Sequence, residues 1–172
     1  MGFKHVLVPT DFSEAATHAL RYAVEEAVLH QAKVTLLHVL PADTRTDVHY
    51  VTSTPILGSQ GGFDPVAGGR VGGLALLSEP EVVRRDRSEE ALTQLRDLIA
   101  NTFQGPWEVE VAMGPPADTI ARVAQARTVD LIVMSTHGRT GLQHVLLGSV
   151  AERVVRLAPC PVLTIKHRAA PG

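Results

Sequence analysis

The chain has 172 residues and a formal net charge of −2, and 45% of its residues are apolar while 20% are charged. This length suits one domain that buries a core on both sides of a sheet. The sequence holds no long basic run, which argues against a dedicated nucleic-acid binder or membrane-surface binder, because both need a positive surface. Cys160 is the only cysteine, so no disulfide can form within the chain.

The beginning of the chain predicts neither a secretion leader nor a membrane span. The apolar run of residues 6–8 is interrupted by Pro9, and no apolar stretch reaches the ~18 residues that a spanning helix needs. We therefore expect a cytoplasmic protein with no membrane partner and no nucleic-acid partner.

Apolar runs of strand length alternate along the chain with helical patterns, which predicts βαβ units on a mostly parallel sheet. Strands are predicted at residues 5–8, where Pro9 ends the run, and at 34–39, 107–112, 131–134 and 162–165. Helices are predicted at 13–30, at 89–100, from Pro115–Pro116 to about 126, and from 149 until Pro159. Residues 107–112 alternate apolar with acidic side chains, which indicates a strand near an edge of the sheet. The expected fold class is α/β, an open five-stranded parallel sheet with helices on both faces.

A segment at about 41–87 breaks this alternation. It has no sustained periodicity and contains half of the 14 glycines. Loops of this length are uncommon inside compact domains. A mobile surface loop, an arm that contacts a second subunit and a lid over a site are the three interpretations that remain open. No second core accompanies the segment, so residues 1–172 are expected to form a single domain that carries this insert.

Candidate binding residues follow the predicted strands, because ligands of open parallel sheets bind beyond the carboxyl ends of the strands. Pro9, Thr10 and Asp11 follow the first strand, and Val39 ends the second. The fourth strand is followed by residues 135–141, Ser-Thr-His-Gly-Arg-Thr-Gly, and Gly148–Ser149 then open a helix.

The glycines after the fourth strand suit an anion. Glycine lets backbone N–H groups approach a bulky anion, and a helix N-terminus favours phosphate through its unpaired N–H groups and dipole. The usual phosphate loops, G-x-x-x-x-G-K-[ST] and G-x-G-x-x-G after the first strand, are absent, which disfavours a Walker-type NTPase and a dinucleotide dehydrogenase. Arg139 is the only strong cation within residues 135–141, so backbone N–H groups or a metal ion must contribute much of any phosphate binding.

Two stretches carry a specific resemblance. Residues 5–13, His-Val-Leu-Val-Pro-Thr-Asp-Phe-Ser, and residues 135–149 resemble the universal stress protein family. The signature of its ATP-binding members reads Gly, two residues, Gly, nine residues, then Gly-Ser or Gly-Thr. Gly138, residues 139–147 and Gly148–Ser149 match it in register, whereas Ser135 replaces the first glycine. The resemblance covers all five strands and leaves out the insert.

The resemblance implies a strand order of 3-2-1-4-5, as in Rossmann-like sheets, and an ATP-binding regulatory protein of the stress response. It also implies a homodimer through the last strand, an edge prone to pairing, formed by Val162, Leu163, Thr164 and Ile165. The implied nucleotide site has an adenine pocket, a ribose and inner-phosphate region, and outer-phosphate contacts with bridging Mg²⁺ or Mn²⁺. The residues expected there are, in that order, Pro9, Thr10, Asp11 and Val39; Met134, Ser135, His137 and Gly138; and Gly148, Ser149 and Val150. Arg139 is expected to bind the nucleotide as well. With Ser135 in place of glycine, weakened or retuned binding is expected rather than none.

Local interpretations compete with these roles. Asp11 is spaced with Glu14 as a capping pair for the first helix, and Ser149 with Glu152 as a capping box for the last. His137 is either a ligand contact or an exposed loop histidine. Two other functions stay open: an enzyme that slowly hydrolyses ATP or transfers its phosphate, although no clear base is present, and a dimeric interaction module that binds no nucleotide.

Overall fold

A computed structural model describes residues 2–40, 81–136 and 147–166, with side chains from residue 87 onward in the second range. Strands and helices alternate as the sequence predicts. The strands are β1 (His5–Thr10), β2 (Lys33–Leu40), β3 (Trp107–Met113), β4 (Leu131–Ser135) and β5 (Val162–Ile165). The helices are α1 (Glu14–His30), α2 (Glu81–Ala100), α3 (Pro116–Ala126) and α4 (Ser149–Leu157).

The strands form one parallel sheet in the order β3-β2-β1-β4-β5, which confirms the predicted fold class. Successive side chains of a strand point to opposite faces, and β1 shows the consequence. Val6 and Val8 pack with α1 and α2 in one core, and Leu7 packs with α3 and α4 in the other. All three side chains are fully buried, so the sheet is covered on both faces. No helix in the described part of the chain is long and apolar enough to cross a membrane.

The prediction that Pro9 ends the first strand is wrong. β1 continues to Thr10, and Pro9 lies in register with Leu37 of β2. On the other side, the pairing of β1 with β4 involves only Val6 and Leu7. Proline has no N–H to donate to a ladder, which is consistent with the separation of β1 from β4 before Pro9. The gap between these two strands opens at the carboxyl end of the sheet.

Both predicted capping pairs are also wrong. Ser13 is the N-cap of α1, and its Oγ accepts a hydrogen bond of 3.2 Å from the Ala16 N–H. The Asp11 carboxylate instead accepts the Ser13 N–H at 3.1 Å. The N-cap of α4 is Gly148, with no side-chain capping bond, so Ser149 is already inside the helix. A cap is set by where the backbone turns into the helix, which spacing alone places to within one or two residues.

The second helix begins at Glu81 rather than at residue 89, so the carboxyl part of the predicted insert is helical. Residues 81–88 read Glu-Val-Val-Arg-Arg-Asp-Arg-Ser, and this mostly charged run lacks the apolar stripe that reveals a helix in a sequence. Residues 41–80 lie outside the described residues, and the three interpretations of the insert stay predictions.

Candidate functional site

A cleft of about 300 Å³ lies at the carboxyl ends of β1, β2 and β4. It is located where the strand order reverses between β1 and β4, the usual place for a ligand in an open α/β sheet. The described residues that line it come from three strands, three helices and two turns: Pro9, Thr10, Asp11, Ala16, Leu37, His38, Val39, Pro116, Ile120, Met134, Ser135, Thr136, Gly148, Ser149, Val150 and Ala151.

One wall of the cleft is apolar and is made by packed core side chains. Leu37 and Met134 come from β2 and β4, and Ile120 comes from α3. All three are buried members of the core between the sheet and α3 and α4. A preformed apolar surface of this kind suits the flat face of a ring system, with a few polar groups left to fix its orientation.

The β1–α1 turn supplies the acidic group of the cleft. Asp11 follows β1 directly, and the Ser13 N–H donates to its Oδ1. The Phe12 N–H donates to the Thr10 hydroxyl at 3.0 Å. The bond from Ser13 orients the Asp11 carboxylate at the cleft, and the bond between Phe12 and Thr10 stabilises the turn around it.

Helix α4 presents its N-terminus to the cleft. The Gly148 N–H donates to the Thr136 carbonyl at 2.7 Å, and the Thr136 N–H donates to the Ile165 carbonyl at 2.9 Å. The first bond inside α4 runs from the Glu152 N–H to the Gly148 carbonyl, so the N–H groups of the helix's first turn have no partner within the helix. Because the Gly148 N–H is engaged with Thr136, an anion here would be met by the N–H groups of Ser149 and Val150.

Helix α3 adds a second N-terminus to the same cleft. The chain turns from β3 into α3 at Gly114, whose φ of 139° suits glycine. A Cβ at this position would lie 2.7 Å from the hydroxyl oxygen of Thr119, so the turn packs directly on its own helix. Pro116 then occupies the first turn, where a missing N–H costs nothing.

All predicted site residues that the structure describes line this one cleft. They are Pro9, Thr10, Asp11, Val39, Met134, Ser135, Gly148, Ser149 and Val150. His137, Gly138 and Arg139 lie outside the described residues. Sequence reasoning missed the contribution of α3, namely Pro116 and Ile120, although Gly114 after β3 marked the third carboxyl end to inspect. It also missed His38, which lines the cleft from β2.

The opposite end of the sheet holds a buried histidine instead of a cleft. The His5 ring lies 3.1 Å from the Arg127 carbonyl through Nδ1 and 2.7 Å from the Thr35 hydroxyl through Nε2. A carbonyl only accepts, so Nδ1 carries the proton and Nε2 of the neutral ring accepts from Thr35. Burial, followed by the nearby charge of Lys33, lowers the pKa of His5. The group is therefore a structural one.

Two further residue types bear on chemistry. Burial raises the pKa of the Cys160 thiol, which makes it a poor nucleophile at neutral pH. Within residues 2–40, 81–136 and 147–166, no group of three or more His, Cys, Asp or Glu side chains could hold a metal ion.

Comparison with known proteins identifies the family. A family model described as the universal stress protein family matches residues 2–60 and 70–166. The chain belongs to this family. It is 33% identical over 164 residues to universal stress protein MJ0531 of Methanocaldococcus jannaschii, covering 95% of this chain and 82% of that protein. It is 31% identical over 170 residues to MJ0577 of the same organism, covering 96% of each.

Solved structures of the family share the fold. A structure of MJ0577 superimposes with a TM-score of 0.73 and 26% identity, covering 99% of this chain and 100% of that chain. A universal stress protein in complex with cAMP has a TM-score of 0.61 at 18% identity, covering 96% and 98%. The Archaeoglobus fulgidus protein in complex with dAMP has a TM-score of 0.55 at 21% identity, covering 96% and 100%. At these two lower identities the likeness concerns the fold.

Proposed function

We propose that the cleft binds an adenine nucleotide, with ATP as its ligand, and that this member of the universal stress protein family is a regulatory protein of the stress response. The observation that carries the proposal is one cleft that combines an apolar wall, an acidic turn and a helix N-terminus. Two fold neighbours were solved with cAMP and with dAMP, which supports the adenine nucleotide class. That residues 1–172 form one domain and that the protein is cytoplasmic remain predictions from the sequence.

In this proposal the base lies between the apolar wall and the β1–α1 turn. Asp11 is the carboxylate of the described lining residues, and a carboxylate oxygen accepts from an exocyclic amino group such as that of adenine. Val39, near the end of β2, lines the same cleft. The ribose then faces Met134 and Ser135 at the end of β4.

The phosphates extend toward α4, where the N–H groups of Ser149 and Val150 and the helix dipole attract negative charge. Gly148 shapes this turn through its bond to Thr136. His137, Gly138 and Arg139 belong to the proposed phosphate region on the resemblance alone. Mg²⁺ or Mn²⁺, where present, would be held mainly by phosphate oxygens, since the described lining offers only Asp11 as a carboxylate.

The same lining favours binding over fast turnover. Phosphoryl transfer needs a group that orients the attacking oxygen and charge that stabilises the leaving phosphate. The described lining has one carboxylate, Asp11, and no lysine or arginine side chain. Slow hydrolysis is therefore the most that we propose for the described side chains.

A charge at the start of α4 tests the phosphate site. An Asp in the first turn agrees with the helix dipole and does not destabilise α4, but it repels phosphate. Val150→Asp is therefore expected to lower ATP affinity by about tenfold or more in calorimetric titration. Val28→Asp is the charge-matched control, because Val28 is exposed near the carboxyl end of α1 and does not line the cleft. Unchanged affinity in Val150→Asp contradicts the assignment.

Mass spectrometry of the small molecules that freshly purified protein releases on denaturation tests the ligand class. An adenine nucleotide is expected. Release of a ligand without adenine, or no binding of ATP by the ligand-free protein, contradicts the proposal.

We also propose a homodimer through β5, one of the two edge strands. β5 pairs only with β4 in the described sheet and carries Val162, Leu163 and Ile165. The other edge, β3, carries Glu108, which is 3.1 Å from the Lys33 ammonium, and charged side chains protect an edge from pairing. Leu163→Lys is expected to give monomers in sedimentation experiments, whereas Trp107→Lys on β3 leaves the dimer intact. Dimers of Leu163→Lys contradict this interface.

A further inference from the structure

The β1–α1 turn contains a strained residue next to Asp11. Phe12 has a φ of 63°, in the left-handed region that side chains other than glycine, asparagine and aspartate rarely adopt. Such a conformation persists only when surrounding contacts hold it, and it is often associated with function. The contacts that hold Phe12 therefore also determine where Asp11 lies.

One of these contacts comes from His38 on the neighbouring strand. Its Nδ1 is 2.7 Å from the Thr10 carbonyl oxygen, and because a carbonyl only accepts, Nδ1 must carry the proton. Thr10 and His38 form the last residue pair of the β1–β2 ladder. The imidazole thus adds a side-chain hydrogen bond to the main chain of β1 at the point where the regular pairing ends.

The same ring contacts the residue on the other side of Asp11. The ring centroids of His38 and Phe12 are 4.6 Å apart, with an angle of 40° between the ring planes. Phe12 in turn packs against the core between the sheet and α1 and α2. A single side chain on β2 therefore contacts both neighbours of Asp11, Thr10 through a hydrogen bond and Phe12 through its ring.

Two further hydrogen bonds lie within the turn itself. The Phe12 N–H donates to the Thr10 hydroxyl, and the Ser13 N–H donates to Asp11 Oδ1. These bonds orient the carboxylate relative to the turn, whereas His38 anchors the turn to the sheet. Both levels are needed, because a group that recognises a ligand must be held within a fraction of an ångström.

We propose that His38 is a positioning residue that fixes the main chain on both sides of Asp11 and thereby holds the Asp11 carboxylate where it meets the base of a bound nucleotide. The inference rests on the proposed function. It concerns the base end of the cleft only, since His38 contacts the β1–α1 turn, which lies at that end.

Two substitutions of His38 separate its hydrogen bond from its ring. His38→Phe keeps an aromatic ring against Phe12 and loses the donor, whereas His38→Asn keeps a donor near the Nδ1 position and loses the ring. His30→Phe is the matched control, because His30 also makes an aromatic contact, with Phe3 at 5.2 Å, at the far end of α1. ATP and inorganic tripolyphosphate are titrated into each purified protein.

In His38→Phe we expect ATP affinity to fall by about tenfold, the range of one hydrogen bond to a main-chain group. Tripolyphosphate affinity changes by less than about twofold, because the phosphate end is untouched. His38→Asn restores most of the ATP affinity, and His30→Phe behaves as the wild type.

An unchanged ATP affinity in folded His38→Phe overturns the inference, and so does an equal fractional loss of ATP and tripolyphosphate affinity. If His38→Phe does not fold, His38→Gln replaces it, since the longer amide misplaces the donor while His38→Asn keeps it. A wild type that binds no nucleotide overturns the proposed function as well. A wild type that binds ATP, together with a folded His38→Phe variant of the same ATP affinity, overturns the inference alone.

Discussion

The two ends of the sheet use histidine in opposite ways. At the amino end, His5 is buried and both ring nitrogens bond to the protein, to Arg127 and Thr35. At the carboxyl end, His38 is half-buried beside a cleft and bonds to the carbonyl of Thr10. The amino end is closed by Asp130, which accepts the N–H groups of Lys4 and His5, and the carboxyl end is open where β1 and β4 separate. We therefore expect substitutions at the amino end to change stability without changing ligand affinity. Substitutions at the carboxyl end are expected to change ligand affinity with little effect on stability.

The largest expected effect is on stability and comes from His5→Leu. This change leaves the buried Thr35 hydroxyl without its partner, and an unsatisfied buried polar group costs about 1–3 kcal/mol; the bond to the part-buried Arg127 carbonyl is lost as well. Chemical denaturation is expected to show a loss of about 3 kcal/mol in the free energy of unfolding, with ATP affinity of the folded fraction unchanged. A loss of ATP affinity with full stability would break the contrast between the two ends.

A pair of aspartates gives the next test. Asp130→Ala removes an acceptor from the Lys4 N–H at 2.8 Å and the His5 N–H at 3.0 Å, for an expected loss of about 2 kcal/mol in stability. Asp11→Ala removes the acceptor of the Ser13 N–H and the carboxylate of the cleft. It is expected to cost less than about 1 kcal/mol in stability and at least about tenfold in ATP affinity. Equal stability losses, or unchanged affinity in Asp11→Ala, would contradict the comparison.

The smallest expected effect is a dependence on pH. Burial lowers the pKa of His5 in the folded chain below the ordinary value of 6.5, so the unfolded chain binds more protons as the pH falls below that value. The contribution of His5 to stability is complete above pH 6.5 and decreases as the pH falls toward the folded pKa. Glu108 does not interfere in this range, because its hydrogen bond from Lys33 lowers its pKa below 4.5.

His5→Gln provides the reference for that measurement, since glutamine does not titrate. Between pH 7.5 and pH 5.5, the wild type is expected to lose more stability than His5→Gln in parallel denaturation experiments. Parallel curves for the two proteins would show that His5 does not titrate differently in the folded and unfolded chains.

Much of the fold could be predicted from local patterns. The buried runs of β1, β2 and β4 and their alternation with helical stripes identified a parallel sheet covered on both faces, and the acidic alternation of β3 identified an edge strand. The candidate site could be predicted to the same extent, because parallel strands deliver their carboxyl ends to one edge of the sheet. Asp11, Met134 and Ser149 line one cleft although they are distant in the sequence.

Details that depend on several elements at once were mispredicted or missed. The sequence suggested that Pro9 ends β1, yet the strand passes through it, because β2 continues to pair on one side while β4 departs on the other. Asp11 and Ser13 both suit a cap, and only the path of the backbone assigned the cap to Ser13. Ile120 gave no signal, because an apolar residue on a helix looks the same whether it faces a core or a cleft.

The sequence by itself determined the class of fold, the order of its elements and the edge of the sheet at which the cleft lies, since periodicity and strand-end chemistry are local properties. Only the tertiary structure decided what each histidine does. His5 and His38 both lie on apolar strands, and their difference arises from the residues that they contact in the folded chain. His5 bonds to the Arg127 carbonyl, whereas His38 bonds to the Thr10 carbonyl and packs against the Phe12 ring. Hydrogen bonds and ring contacts between distant residues depend on packing in three dimensions, which no local pattern contains.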